Sequence, residues 1–370
     1  MTDSAIAAPV LPTALATFLA ATANPPQLSD YRCVLTPREL DVPDREIAAL
    51  TRGAGVHDLG WLRRVAVRGE DRFRWLNGMV TNAVNDMATN TGAWNLVLSA
   101  QGRILGDLTV WREGDGELEM EIDACQVERL MAHLEHYIIM DDVELVPLGH
   151  EPGAEETAIG VSGAQVANVL ERVGLPVLAQ PMTLTRVEWN GLDLRVLRGY
   201  GVLAQHYTIW TPLTGLTRLW RTLSTAGATH VGSSTLDALR IAEGIPTYGV
   251  DIVERDLPQE TSQTRALHFA KGCYQGQEIV ERIRSRGNVH RHLRSVELHG
   301  PIPASGTELS LNGKAVGNLT SAASLPLENG SRTFALAMVR SEAELPDTQF
   351  AYATETAAGK AQLLSTPPKI

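Results

Sequence analysis

Cysteine is scarce in this chain: only Cys33, Cys125 and Cys273 occur in 370 residues. They lie far apart, are odd in number and form no C-x-x-C pair. Neither a disulfide framework nor a cysteine-based zinc site is expected, and a reducing, cytoplasmic setting is. Basic residues are also short, with 32 Lys and Arg against 43 Asp and Glu and a formal net charge of −11. That balance argues against a protein that coats nucleic acid or anionic membrane over its whole surface. No uncharged stretch approaches the roughly 18 apolar residues of a membrane-spanning helix. No Lys or Arg precedes Arg32, and Asp3, Pro9 and Pro12 interrupt the apolar N-terminal stretch. This argues against a secretory signal and for a short apolar helix docked on the body. There is no P-loop, no dinucleotide glycine fingerprint after a strand, no G-x-S-x-G and no H-E-x-x-H.

What is present fits two or three α+β units with mostly antiparallel sheets. Alternation in "RRVAVRG" predicts a strand. Phe73, Leu76, Val80 and Val84 then keep helical spacing after Gly69-Glu70-Asp71. "GAWNLVLSAQGRILGDLTVWR" reads as two strands joined at "SAQG", and "ELEMEID" as another. Val127, Leu130, Met131, Leu134 and Ile138 mark a helix. Residues 150–157, "HEPGAEET", read as a linker. A second unit follows, with "TAIGVSG", a helix at 163–173, strands near 184–197 and 207–211, and a helix at 216–224. "SSTLDALRIAEGIP" predicts a helix capped by Ser234, with Asp237 three residues on, and stopped by Gly244 and Pro246. From 289 onward, short strands broken by Gly, Pro and Asn predict a small all-β barrel. The expected division is an N-terminal arm at 1–40, two interleaved lobes at 41–288 and a barrel at 289–370.

Three features could carry chemistry. In "KGCYQGQE" (271–278), Gly272 and Gly276 would let the backbone expose Cys273, and nearby cations such as Lys271 would favour its thiolate. The bland reading is a structural turn with a small cysteine. In "ERIRSRGNVHRHLR" (281–294), alternation would put Arg282, Arg284 and Arg286 on one face of a strand, suited to carboxylates or phosphates. The bland reading is a solvated face. Asp107 stands in an apolar strand and must face solvent or find donors, with a surface position as the default. His133 with His136, and His290 with His292, share faces but lack a carboxylate or cysteine at ligand spacing. No metal site is expected.

Together these segments resemble the YgfZ family, folate-binding relatives of the glycine-cleavage aminomethyltransferase, the T protein. "KGCYQGQEIVERIRSRGNVHR" looks like its K-G-C-x-x-G-Q-E signature. "GVHDLGWLRRVAVRG", "FRWLNGMVTNAV" and "LRIAEGIPTYGVDI" with "LPQE" extend the likeness from about Arg52 to the end of the barrel. The resemblance implies a T-protein-like three-lobed ring of two interleaved α+β lobes plus a C-terminal β-barrel. It implies tetrahydrofolate, in mono- or polyglutamylated form, in a central channel, and a part in iron–sulfur cluster assembly or repair. Iron–sulfur enzymes or assembly factors would be the clients. Some members carry a tRNA-modification label because a tRNA-thiolating iron–sulfur enzyme depends on them.

By the same resemblance, Asp107 falls where the transferases keep an aspartate near folate's reactive nitrogen. Trp94 falls on an aromatic of the pterin pocket. Arg240 matches a folate-site arginine, Tyr200 lies in the matching "GYGVLAQHYTIW" stretch, and Cys273, with Lys271, belongs to the signature. Ala204 replaces the glutamate that grips the pterin, which would remove charge-assisted bonds of about 1.5–3 kcal/mol each. An aminomethyltransferase-like one-carbon enzyme and a non-catalytic folate-responsive adaptor are the alternative readings. Arg282, Arg284 and Arg286 are expected to accept folate glutamates. The basic run carries Glu278 and Glu281 and lacks interleaved aromatics, which argues against direct tRNA binding. A monomer is expected.

Overall fold

A computed structural model describes residues 9–370, apart from 115, 288, 356 and the side chain of Arg286. Helix α1 (Ala14–Ala20) starts where the Thr13 hydroxyl accepts the Ala16 N–H at 3.0 Å. Leu15 and Leu19 bury its inner face beside Trp220 and Leu223. Within the described part of the apolar N-terminal stretch, residues 14–20 form the docked helix that the pattern predicts.

Strands β1 (Leu28–Tyr31) and β2 (Val34–Pro37) form a hairpin turned by Arg32 and Cys33, both left-handed at φ 53° and 64°. Cys33 is disulfide-bonded to Cys125, 92 residues on. This corrects the expectation of unpaired cysteines. The tip of the hairpin and the turn at 124–126 meet only in the folded chain, and spacing in sequence carries no trace of that contact.

Helix α2 (Pro43–Arg52) opens with proline at its first position. Strands β3 (Gly55–Asp58) and β4 (Leu62–Arg68) follow, then α3 (Arg72–Met79). Val80 and Val84 lie beyond the end of α3 but are buried in the same cluster as Leu76. The hairpin expected around "SAQG" is present as β5 (Thr91–Leu98) and β6 (Ile104–Glu113). Strand β7 (Glu117–Asp123), α4 (Val127–Glu135) and β8 (Glu144–Leu148) complete this part.

The second part runs β9 (Glu156–Gly163), α5 (Val166–Arg172), β10 (Thr183–Trp189), β11 (Leu192–Arg198) and β12 (Gln205–Pro212). Helix α6 (Leu216–Thr225), β13 (Thr229–Val231) and α7 (Ser233–Ala242) follow. Gly232 caps α7, while the Ser234 hydroxyl donates to the Arg38 carbonyl at 2.8 Å, so the expected serine cap is not formed.

Among the described residues, one sheet has the order β13-β3-β9-β12-β11-β10-β5-β6-β7-β4-β8. Its two halves join through a single registered pair, Thr183 with Thr91. All pairings are antiparallel except β13 with β3. Strand β3, early in sequence, belongs to the half built mostly from β9–β12, so the lobes interleave along the chain.

Helix α8 (Gln277–Arg286) replaces the strand expected for the arginine run. Gly276 and Gly287 bracket it in the left-handed region. Ile279, Val280 and Ile283 hold its inner spacing, with Val280 fully buried. At 100° per residue, positions 282, 284 and 286 do not share a face. The final lobe is a closed barrel of β14 (Arg291–His299), β15 (Glu308–Leu311), β16 (Lys314–Leu327), β17 (Gly330–Arg340), β18 (Gln349–Ala353) and β19 (Ala358–Leu363). Val296, Leu309, Phe350 and Ala361 fill it.

Candidate functional site

Between the two half-sheets lies a half-open cavity of about 220 Å³. Strands β5, β6 and β7 present Trp94, Asp107, Thr109, Glu121 and Asp123 to it. Register explains the grouping: Trp94 sits opposite Thr109, and Thr109 opposite Glu121. With a side-chain period of two, Asp107 and Asp123 fall on the same face one step along. The second half-sheet and the loops around it add Met182, Tyr200 and Thr208. Arg32 enters from the β1–β2 turn and Arg265 from the segment after α7.

Asp107 is not on an edge or the outer surface, because β6 runs between β5 and β7. Its carboxylate finds two donors. Trp94 Nε1 donates to Oδ2 at 2.8 Å and Gln126 Nε2 to Oδ1 at 2.9 Å. Gln126 Oε1 also accepts the Asp107 backbone N–H at 3.0 Å. Burial and the Asp123 charge push this carboxyl above the usual carboxylate range, against the pull of Gln126, Trp94 and Arg32.

Arg265 is the main site residue that sequence reasoning missed. Its guanidinium carbon lies 4.5 Å from the Trp94 ring centre and 4.1 Å from that of Tyr200, a cation–π stack on two rings. Burial lowers its pKa. A lone arginine in a three-residue 3-10 turn gives no sequence signal. Glu121 was missed too, although the strict acid–apolar alternation of "ELEMEID" could have placed it on an exposed face. Glu113, Glu117 and Glu119 converge nearby, but Arg64, Arg186 and Arg195 neutralise them.

The structure brings Trp94, Asp107 and Tyr200 together and places the other expected site residues elsewhere. Arg240 pairs with Asp251 and Asp237, each at 2.6 Å, and reaches Ser321 of β16 at 3.4 Å. It ties α7 to the barrel and does not line the cavity. Lys271 donates to the carbonyls of Asn77, Val80 and Asn82, each at 2.6 Å. It thereby caps the C-terminal end of α3, and burial pulls its ammonium down to about 7. Cys273 is a free, exposed thiol outside the cavity lining. Arg282 is exposed, and Arg284 stacks on Phe269 at 4.5 Å and pairs with Glu281 at 3.5 Å. The side chain of Arg286 lies outside the described residues.

Ala204 belongs to a loop held by Glu243, whose Oε1 accepts the N–H groups of Val202, Leu203 and Ala204 at 2.8–3.2 Å. His206 engages the other oxygen at 3.0 Å. Burial opposes ionisation of Glu243, but His206 and these amides win and hold its carboxyl low. That carboxylate is therefore committed to the loop.

The architecture is that of an aminomethyltransferase. Glycine cleavage system aminomethyltransferase T from Bartonella henselae superposes with a TM-score of 0.82 at 18% identity, covering 92% of this chain and 94% of that one. The chain belongs to the family described as the GCVT N-terminal domain, whose model matches residues 29–271, and residues 291–369 match the CAF17 C-terminal beta-barrel domain. Among curated relatives, a chloroplastic protein of Arabidopsis thaliana named as a transferase is 24% identical, over 82% of this chain and 69% of its own length. The aminomethyltransferase of Thermus thermophilus is also 24% identical, over 86% of this chain and 89% of its own.

Proposed function

We propose that the chain binds a tetrahydrofolate in the Trp94–Asp107–Tyr200 cavity. Through Cys273 it serves iron–sulfur cluster assembly or repair, in the manner of YgfZ-type proteins. The observation that carries this reading is the convergence of Trp94, Asp107 and Tyr200, from three separate elements, on one cavity. Trp94 and Tyr200 line the cavity with Arg265 stacked on their rings, and Asp107 offers a carboxyl already oriented by Trp94 and Gln126. When bound, the folate would supply a one-carbon carrier. The protein's own part is to orient the ring and to present Asp107 as an acceptor, its two oxygens already placed by Trp94 and Gln126. The exposed thiol faces outward, where a client enzyme or assembly factor can reach it.

Titration of the protein with tetrahydrofolate, followed by tryptophan fluorescence, tests the cavity. Saturable quenching is expected, weakened about 10- to 100-fold by Asp107→Ala, the loss of a charged acceptor. A wild-type protein that shows no saturable binding overturns the reading. The names of the relatives favour a second one, aminomethyl transfer. Methylenetetrahydrofolate formed catalytically from aminomethylated lipoyl protein would promote it over cluster repair.

A further inference from the structure

Four acids alternate along β7: Glu117, Glu119, Glu121 and Asp123, with Leu118, Met120 and Ile122 buried on the opposite face. Three of the four meet guanidinium groups. Glu117 pairs with Arg186 at 3.4 Å, Glu119 with Arg64 and Arg195 at 2.8 Å, and Asp123 with Arg32. Glu121 makes no ion pair among the described residues. Its carboxylate accepts one hydrogen bond, from Trp210 Nε1 to Oε2 at 3.0 Å. Oε1 has no protein donor among the described residues.

This carboxylate lines the cavity with Leu62, Trp111 and Met182, accepts from Trp210, and feels the charges of Arg195 and Arg64 without contact with either. An acid in such a place is costly unless something pairs with it. The other two carboxylates of the cavity are spoken for, Asp107 by Trp94 and Gln126 and Asp123 by Arg32. A carboxylate has about four lone-pair positions, and Trp210 uses one.

We propose that Glu121 is a specificity-determining residue of the cavity, accepting the paired N–H and NH2 donors on the edge of a planar heterocycle seated in the space that Trp94, Tyr200 and Arg265 line. The inference rests on the reading that the cavity takes tetrahydrofolate. The amino-pyrimidinone edge of that ring carries such a donor pair, matched to two carboxylate oxygens.

The test compares tetrahydrofolate with its 2-oxo analogue, in which the 2-amino group is replaced by oxygen. Both are titrated into wild type and Glu121→Gln. Wild type is expected to prefer the 2-amino ligand about tenfold or more, because an analogue lacking the donor leaves the carboxylate unmatched. Glu121→Gln is expected to narrow that preference to about twofold, chiefly by weakening tetrahydrofolate. The ratio of the two affinities does not depend on the fraction of folded protein, so a loss of stability in the variant leaves the test intact. A variant that binds tetrahydrofolate and keeps the wild-type preference overturns this inference alone. A wild type that binds neither ligand overturns it together with the cavity reading.

Discussion

The cavity around Asp107 and the loop around Cys273 lie on one stretch of chain, since Arg265 reaches into the first and Cys273 projects from the second only eight residues later. They are built in opposite ways. In the cavity the polar groups are fixed: Asp107 by two donors, Arg265 by two rings. In the loop the residues around the thiol are anchored and the thiol itself is not. Lys271 holds three carbonyls and Tyr274 is buried. Gly276 turns left-handed at φ 78°, where a Cβ would meet the Ser99 carbonyl at 2.6 Å. Cys273 stays exposed, and a Cβ on neighbouring Gly272 would meet only open space. Preorganised, half-buried polar groups suit a small molecule held in one pose. A bare thiol on an anchored loop suits a partner that arrives from outside.

The sharpest break of this comparison is Cys273→Ala. Its expected effect is loss of iron–sulfur enzyme activity in the host to the level of a null strain, with unchanged tetrahydrofolate affinity and melting temperature. Cluster enzymes at normal activity in that strain would remove the thiol from the mechanism. A change in folate affinity would show that loop and cavity are one site rather than two.

Lys271→Gln comes next. It should destabilise the fold by about 1–3 kcal/mol, because buried carbonyls at the end of α3 lose their donor. Burial holds Lys271 near 7 in the folded chain, against 10.5 for a free lysine. The folded state thus binds its proton less tightly than the unfolded one. The charge penalty is complete below pH 7 and shrinks as pH rises toward 10.5. The stability gap between wild type and Lys271→Gln is therefore expected to widen between pH 7 and 10 in denaturant melts. A gap that narrows would mean the three carbonyls bind the cation strongly enough to outweigh burial.

Much of the fold was legible because its signals are local. The turn at "SAQG" fixes the β5–β6 register, and that register alone puts Trp94 and Asp107 within reach of each other. Helix α8 was misread because the alternating arginines are period two, while the apolar triplet Ile279, Val280 and Ile283 keeps the helical period and decides the fold. The Cys33–Cys125 bond and the Arg265 stack are contacts between distant segments, which no window of sequence contains. Glu121 was hidden differently. Four acids on one strand look alike until their partners are placed, and only then does one stand without an ion pair among the described residues.

The smallest expected effect sharpens the comparison at its margin, the arginines of α8. As a strand they would present one comb of guanidinium groups to a polyglutamate tail. As a helix they diverge, and Arg284 is already engaged by Phe269 and Glu281. Exposed ion pairs contribute about 0–1 kcal/mol, and salt screens them. Arg282→Ala with Arg284→Ala is therefore expected to weaken pentaglutamyl tetrahydrofolate by at most about fivefold at low salt, and not at all at high salt. Monoglutamate affinity should be unchanged, because neither residue lines the cavity. A large loss for the monoglutamate would mean that α8 reaches into the ligand site, and the division between a fixed cavity and an outward-facing loop would then fail.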